Sequence, residues 1–506
     1  ERASIPGGRV SDSGRTGHGL VEGGLVRGAG TGDFPRTGTG STTSVAGPTT
    51  GALGTAPTPA PAGSAPNHPL AEFVDRLAAG RPSRVAWACL PGGDLVDGLT
   101  AAISASRTSG RQALVVAPSE RIVSQLIQAL DAHFAVGRLV AGDGAEARLE
   151  AYWAAASGMV DVLVGTRAAA FAPLARPGLL VLLNDGDPAL REPRAPYPHA
   201  RTVLTVRAGQ ERAGLLIAGL ARSVEVQALA ESGWLDLATP DRASVRRATA
   251  VADAPTTEDL GREGATAASR LPEAAFRLIR QASAAGPVLV QVPSANHETF
   301  GLVRTAGELV RAFPALRLER SSAEIGIVDQ VGEDAGLVVA TPGAEPAARG
   351  GYAAAVLLDG GAWAGRSELD AGIDALRIWM GAAALVRPGG KALLLGSEGT
   401  AAAQALVRWD PVGFAARELH ERRELGLPPA TKAVVLSGPP EAVDDLVGRL
   451  RPMEAVSVRR GPDQTVLLIK LTYARIVIQH LREAIRARAT GRPSGRVRVK
   501  VDGELG

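Results

Sequence analysis

From Pro69 onward the chain alternates short, almost uniformly apolar runs with amphipathic stretches, and this alternation restricts the fold more than any other feature. The apolar runs Val85–Leu90, Ala113–Ala117, Arg138–Ala141, Val160–Gly165 and Leu179–Leu183 are too short for buried helices and lack the polar alternation of a half-solvated sheet. Strands of this kind, separated by helices, predict a parallel sheet covered on both faces. The pattern continues to about residue 230, is interrupted by a polar, Ala/Thr/Asp-rich stretch, and restarts. In the second block Val288–Val292, Leu316–Leu318, Gly326–Val328, Leu337–Ala340, Ala354–Leu358 and Ala392–Leu395 read as strands, with helices near Glu273–Ala284, Val303–Phe313 and Glu368–Val386. After Arg408 the order changes to strand Ala433–Ser437, helix Pro440–Leu450, strands Ala455–Arg459 and Thr465–Leu471, helix Tyr473–Arg488 and strand Gly495–Val501, the βαββαβ order of a ferredoxin-like domain.

The expected architecture is therefore α/β: a lobe over 68–239, a linker or loop over 240–268, a second lobe over 269–408 and a small α+β domain over 409–506. Residues 1–67 are Gly-, Ser-, Thr-, Ala- and Pro-rich, with too little apolar surface to offset the entropy of ordering, and read as a disordered tail. A chain of 506 residues is long enough for several cores. The single cysteine, Cys89, excludes an internal disulfide and a Cys-rich zinc site and fits a reducing, cytoplasmic setting. No apolar run is long enough to span a membrane as a helix, and the first residues do not resemble a signal peptide; Glu1 in place of Met suggests a fragment.

Lys plus Arg exceed Asp plus Glu by three (55 against 52), so attraction to nucleic acid must come from local clustering. Such a cluster lies at the C-terminal end, with thirteen basic against five acidic residues from Arg449 to Gly506. On the helix Tyr473–Arg488, Val477, Leu481 and Ala484 form one stripe while Arg475, Arg482 and Arg486 share another face. Together with Arg496, Arg498 and Lys500 of the last strand they are the candidate DNA-binding residues, suited to sequence-independent phosphate contacts. His199, His420 and His480 stand alone, and Trp363, Trp379 and Trp409 read as packing residues.

Local motifs sharpen this reading. Val164-Gly165-Thr166-Arg167-Ala168-Ala169-Ala170-Phe171, Tyr197-Pro198-His199-Ala200-Arg201, and the junction Arg408-Trp409-Asp410-Pro411 through Glu418, Arg422 and Leu427-Pro428-Pro429 resemble, in order, the V-G-T-R-S-A-L-F, Y-H-A-R and E-x-x-x-R/Pro-Pro segments of the PriA family of replication-restart helicases, over about residues 69–506. The resemblance implies two RecA-like helicase lobes, forked or single-stranded DNA and primosome proteins as partners, and ATP, magnesium and zinc as family cofactors.

The nucleotide motifs are damaged. A phosphate loop uses backbone N–H groups and a Lys to hold phosphates and a hydroxyl to hold Mg²⁺. Here Leu95 and Val96 stand where Lys and Thr belong, after Gly92-Gly93 and the anionic Asp94. The Asp-Glu pair of the metal box is replaced by Asn184-Asp185-Gly186-Asp187. Of two family arginines in the second lobe, Arg387 is matched while Ala384 takes the other place. Gly92, Gly93, Asp185 and Arg387 thus mark a degenerate nucleotide site without catalytic residues. The family's eight zinc-binding cysteines are missing between Val292 and Gly301, so no cofactor and no stoichiometric zinc are expected, and the family's β-rich domain for the 3′ end of a nascent strand finds no counterpart in 1–67. The sequence points to a replication-restart DNA-binding and assembly factor without ATPase activity; the alternative is an active ATP-dependent 3′→5′ DNA helicase.

Overall fold

The computed structural model describes residues 68–261, 271–293, 298–397, 399–490 and 495–502. The expected tail over 1–67 lies outside the described residues. The first lobe is built on strands β1 (Arg84–Ala88), β2 (Gln112–Val116), β3 (Val136–Leu139), β4 (Val162–Gly165), β5 (Pro177–Leu183), β6 (Gly214–Gly219) and β7 (Asp236–Ala238). They form one sheet in the order β3-β4-β2-β5-β6-β1-β7, with every pair parallel. The central strands are uniformly apolar because both faces are covered: Leu114, Val116, Leu180 and Leu182 pack to one side, Ala113, Val115, Leu179 and Val181 to the other. Helix Asp94–Thr108 closes on β1 through Gly98, where a Cβ would stand 2.3 Å from the Trp87 ring.

The second lobe contains β8 (Val251–Asp253), β9 (Val288–Gln291), β10 (Leu318–Ser321), β11 (Gln330–Val331), β12 (Leu337–Ala340), β13 (Ala347–Ala348), β14 (Tyr352–Leu357) and β15 (Val386–Leu394). Its parallel sheet runs β10-β12-β9-β14-β15-β8, and β11 and β13 form a separate parallel pair. Two differences from the sequence reading stand out. The stretch read as a linker over 240–268 supplies helix Arg242–Ala248 and β8, which pairs with β15 at the sheet edge. Gly326–Val328, read as a strand, is a turn and loop in which Gly326 takes φ +111° and bridges back to Ser322.

The third unit is an antiparallel sheet of β16 (Thr431–Ser437), β17 (Val456–Arg460), β18 (Thr465–Lys470) and β19 (Arg498–Val501), in the order β17-β18-β16-β19. Helices Pro440–Gly448 and Leu471–Thr490 complete the ferredoxin-like βαββαβ unit. Val434, Leu436, Leu467 and Ile469 meet Val477 and Leu481 of the second helix in its core. The protein is thus α/β with two RecA-like lobes and a small α+β domain. Among the described residues no helix is long and apolar enough to cross a membrane.

Candidate nucleotide cleft and nucleic-acid interface

The loop that should cradle phosphates runs from Cys89 to Gly93, with Gly92 at φ +87° turning the chain into the helix that starts at Asp94. Asp94 Oδ2 accepts the Leu90 backbone N–H at 2.7 Å, and Oδ1 lies 3.2 Å from Nε2 of His68. The protein's own carboxylate therefore sits at the helix N-terminus, where the macrodipole favours an anion. Leu95 packs against the apolar core of the lobe instead of projecting a cation into the loop.

At the end of β5, Asp185 is buried and both its oxygens are engaged: Oδ2 pairs with Arg201 Nη1 at 3.1 Å, and Oδ1 accepts the Ser223 backbone N–H at 3.3 Å. Arg201, itself buried, also donates to Ser223 Oγ at 3.0 Å and pairs through Nη2 with Glu225 at 3.0 Å. His199 caps helix Ala200–Gln210, its Nδ1 accepting the Arg201 backbone N–H. Burial, then the nearby Arg201 and Arg191, push the His199 imidazolium down to about 3, so the ring is neutral and free to accept. Burial pushes Glu225 up, but the attraction of Arg201 prevails and holds its carboxyl at about 2.

Further charged groups tie this centre to the second lobe and to the long helix Pro411–Glu424. Asp187 pairs with Arg377 of helix Ala371–Ala383 at 3.0 Å. Asp370 receives Arg422 Nη1 at 2.8 Å, while the Arg422 Nε donates to Glu418 at 3.0 Å and Nη2 to the Leu369 carbonyl at 2.8 Å. On the other flank Arg121, at the start of the helix after β2, reaches into the second lobe. It donates to the Asp329 carboxylate and to the carbonyls of Val328, Asp329, Gly343 and Glu345. Arginines thus join the lobes on two flanks, beside an apolar cluster in which Val224 and Leu220 of the first lobe meet residues of the second such as Trp363 and Leu376.

Burial, opposed by Arg377, pushes Asp374 up to about 6. A carboxyl raised above its unfolded value near 4 adds proton-linked stability at low pH, which is lost as pH rises through about 6. Asp374→Asn is accordingly expected to stabilise the protein by roughly 1 kcal/mol at pH 8 and by less at pH 4. Denaturant titration at the two pH values measures the difference.

The residues singled out in the sequence fall in separate places. Gly92 and Gly93 border the self-capped loop and Asp185 forms the buried ionic centre. Arg387 lies at the start of β15 and donates to the Ala285 carbonyl at 3.0 Å, away from the Asp185 partners. Arg475, Arg482 and Arg486 are exposed on the outer face of helix Leu471–Thr490 and pair with no carboxylate among the described residues. Val497, Val499 and Val501 face the helix-covered core, so Arg496, Arg498 and Lys500 project from the opposite side of the sheet. There Lys500 lies over the Tyr197 ring of the first lobe at 5.4 Å, and Arg191 donates to the Asp502 carbonyl. The helix arginines and the strand cations form two surfaces and not one. Sequence reasoning passed over Arg377, Asp370, Ser223 and Glu225; of this network it singled out Asp185, Asp187 and the Arg201 and Glu418/Arg422 motifs.

The fold and this cleft define a two-lobed, helicase-like protein. The chain is 38% identical to proteins named "Probable replication restart protein PriA" from Mycobacterium bovis and Mycobacterium tuberculosis, over 75% of this chain and 68% of theirs. It is 36% identical to the protein of that name from Mycobacterium leprae, over 76% of this chain and 69% of that one. It belongs to the PriA replication-restart family. No family profile matches the chain. Solved structures similar to it include RecG bound to a three-way DNA junction, at 13% identity and a TM-score of 0.42 over 71% of this chain and 50% of that one. The DEAD-box helicase Mss116 bound to ssRNA and UDP-BeF is similar at 13% identity and a TM-score of 0.42, over 65% and 69% of the two chains.

Proposed function

We propose that the chain is a replication-restart factor that binds forked or single-stranded DNA and helps to reload the replicative machinery without hydrolysing ATP. The observation that carries this reading is the carboxylate of Asp94 bound to the Leu90 N–H, in a loop whose Lys and Thr positions hold Leu95 and Val96. An incoming phosphate would meet a negative charge and find neither the cation nor the metal-binding hydroxyl. The occupied oxygens of Asp185 support the same reading, because a Mg²⁺ ion there would have to compete with Arg201. Family membership supports DNA and primosome proteins as partners.

The purified chain is expected to show no ATP hydrolysis above background, with or without single-stranded DNA, while binding forked DNA. ATP–Mg²⁺ should leave Tm unchanged, whereas a ligand at 100 times its Kd would stabilise the fold by about 2.7 kcal/mol. A hydrolysis rate that rises with single-stranded DNA would overturn the reading in favour of an ATP-driven 3′→5′ helicase.

A further inference from the structure

Among the arginines of the first lobe, Arg222 is exceptional. It is only 6% exposed, and neither Nη1 nor Nη2 has a hydrogen-bond partner among the described residues. Its backbone is pinned in the turn after β6, because the next residue, Ser223, donates its N–H to Asp185 and caps helix Val224–Glu231. The side chain borders a cavity of about 10 Å³ that also touches Ala88, Gly219 and Ala221 at the ends of β1 and β6, and Pro411 and Val412 of the neighbouring helix. That volume holds one particle the size of a water molecule.

Two independent features make the cavity attractive to negative charge. A guanidinium that has lost its hydration without gaining a hydrogen-bond partner is costly, and the nearby Asp185 offsets this only in part because Arg201 already holds it. The second feature is the start of the 14-residue helix Pro411–Glu424, whose first residues Pro411 and Val412 line the same cavity. Asp410 caps the Gly413 N–H of this helix, whereas Val412, in its first turn, has no intrahelical acceptor for its own N–H. Asp185 is the one carboxylate bordering the cavity, and its oxygens already accept from Arg201 and Ser223. Glu225, which shares Arg201, is a third exposed and open to water.

We propose that this cavity is a binding site for a small inorganic anion of monatomic size, chloride in ordinary solution, held between the Arg222 guanidinium and the N-terminus of helix Pro411–Glu424. The anion would fasten that helix to the first lobe and supply the hydrogen-bond acceptor that Arg222 lacks among the described residues. The site goes beyond the proposed role in replication restart and does not depend on it.

The test uses the whole chain in sodium gluconate, exchanged stepwise for sodium chloride at constant ionic strength. Gluconate is too large for the cavity. The expected result is a saturable rise in Tm of about 2–4 °C for the unaltered protein and none for Arg222→Gln. Crystals grown in bromide should show an anomalous peak within hydrogen-bond reach of Arg222. The absence of a saturable rise, an equal rise in the variant, or cavity density without an anomalous signal would overturn the proposal. If Arg222→Gln does not fold, the bromide experiment on the unaltered protein decides by itself.

Discussion

Replacing Arg201 with alanine is expected to destabilise the first lobe by about 3–5 kcal/mol, the range found when one partner of a buried ion pair is removed. Arg201 is the only cation paired with Asp185 among the described residues, and Asp185 is 2% exposed. Deleting the guanidinium leaves a buried carboxylate with one backbone N–H, from Ser223, as its remaining donor. The loss should depend on pH in a definite direction. Glu225 is held near 2 in the folded protein by Arg201, against an ordinary value of 4.5, so its contribution is fully present above about 4.5 and is lost as pH falls toward 2. The gap between Arg201→Ala and the unaltered protein should accordingly be constant from pH 5 to 8 and narrow below pH 4.5. Denaturant midpoints across that range measure it. A gap under about 1 kcal/mol at pH 7 would mean that water reaches Asp185 and that the centre contributes little.

The fate of the nucleotide cleft follows from the same charges. In an ATP-driven motor, nucleotide phosphates and a metal ion between the lobes supply the charge that draws them together. Here the space is bordered by Asp94, which closes its own loop, and by Asp187 and Arg377, which pair across it. Arg121 adds hydrogen bonds to the second lobe on the other flank. The charged groups that span the lobes there pair with one another.

Much of the framework was legible in the sequence because buried parallel strands are written as continuous apolar runs. Leu179–Leu183 could be read this way since every one of its side chains is buried. The missed strands at the sheet edges lacked that signature. β6, Gly214–Gly219, does carry an apolar run, Leu215 to Ala218, and was passed over. β7 and β8 are three-residue edge strands with largely exposed side chains, Val251 being 61% exposed, so no apolar run marks them. The reverse error at Gly326–Val328 arose because Ile325 and Ile327 look like one face of a strand, yet both are about half exposed on a loop. The ionic centre was less legible still. Asp185, Arg201, Glu225, Asp370 and Arg422 come from both lobes and the helix beyond them, and only the tertiary fold brings them together. One pair within it, Glu418 and Arg422 at a spacing of four, could be read locally as neighbours on a helix face.

The remaining large effect concerns DNA. Arg475→Ala, Arg482→Ala and Arg486→Ala in one chain are expected to flatten the slope of log affinity against log salt for forked DNA by about 2–3 units, since each phosphate contact contributes nearly one counterion. The three side chains are exposed on one helix face and pair with no carboxylate among the described residues, while Val477, Leu481 and Ala484 on the other are buried, so the substitutions should leave the domain folded. The two-sided geometry of the domain supplies the control. Arg496, Arg498 and Lys500 lie on the opposite side of the sheet, with Lys500 over Tyr197, so their joint replacement by alanine should change the salt slope little. Titrations of both variants at several salt concentrations separate the cases. If the strand variant flattens the slope and the helix variant does not, DNA runs along the side of the sheet that faces the first lobe.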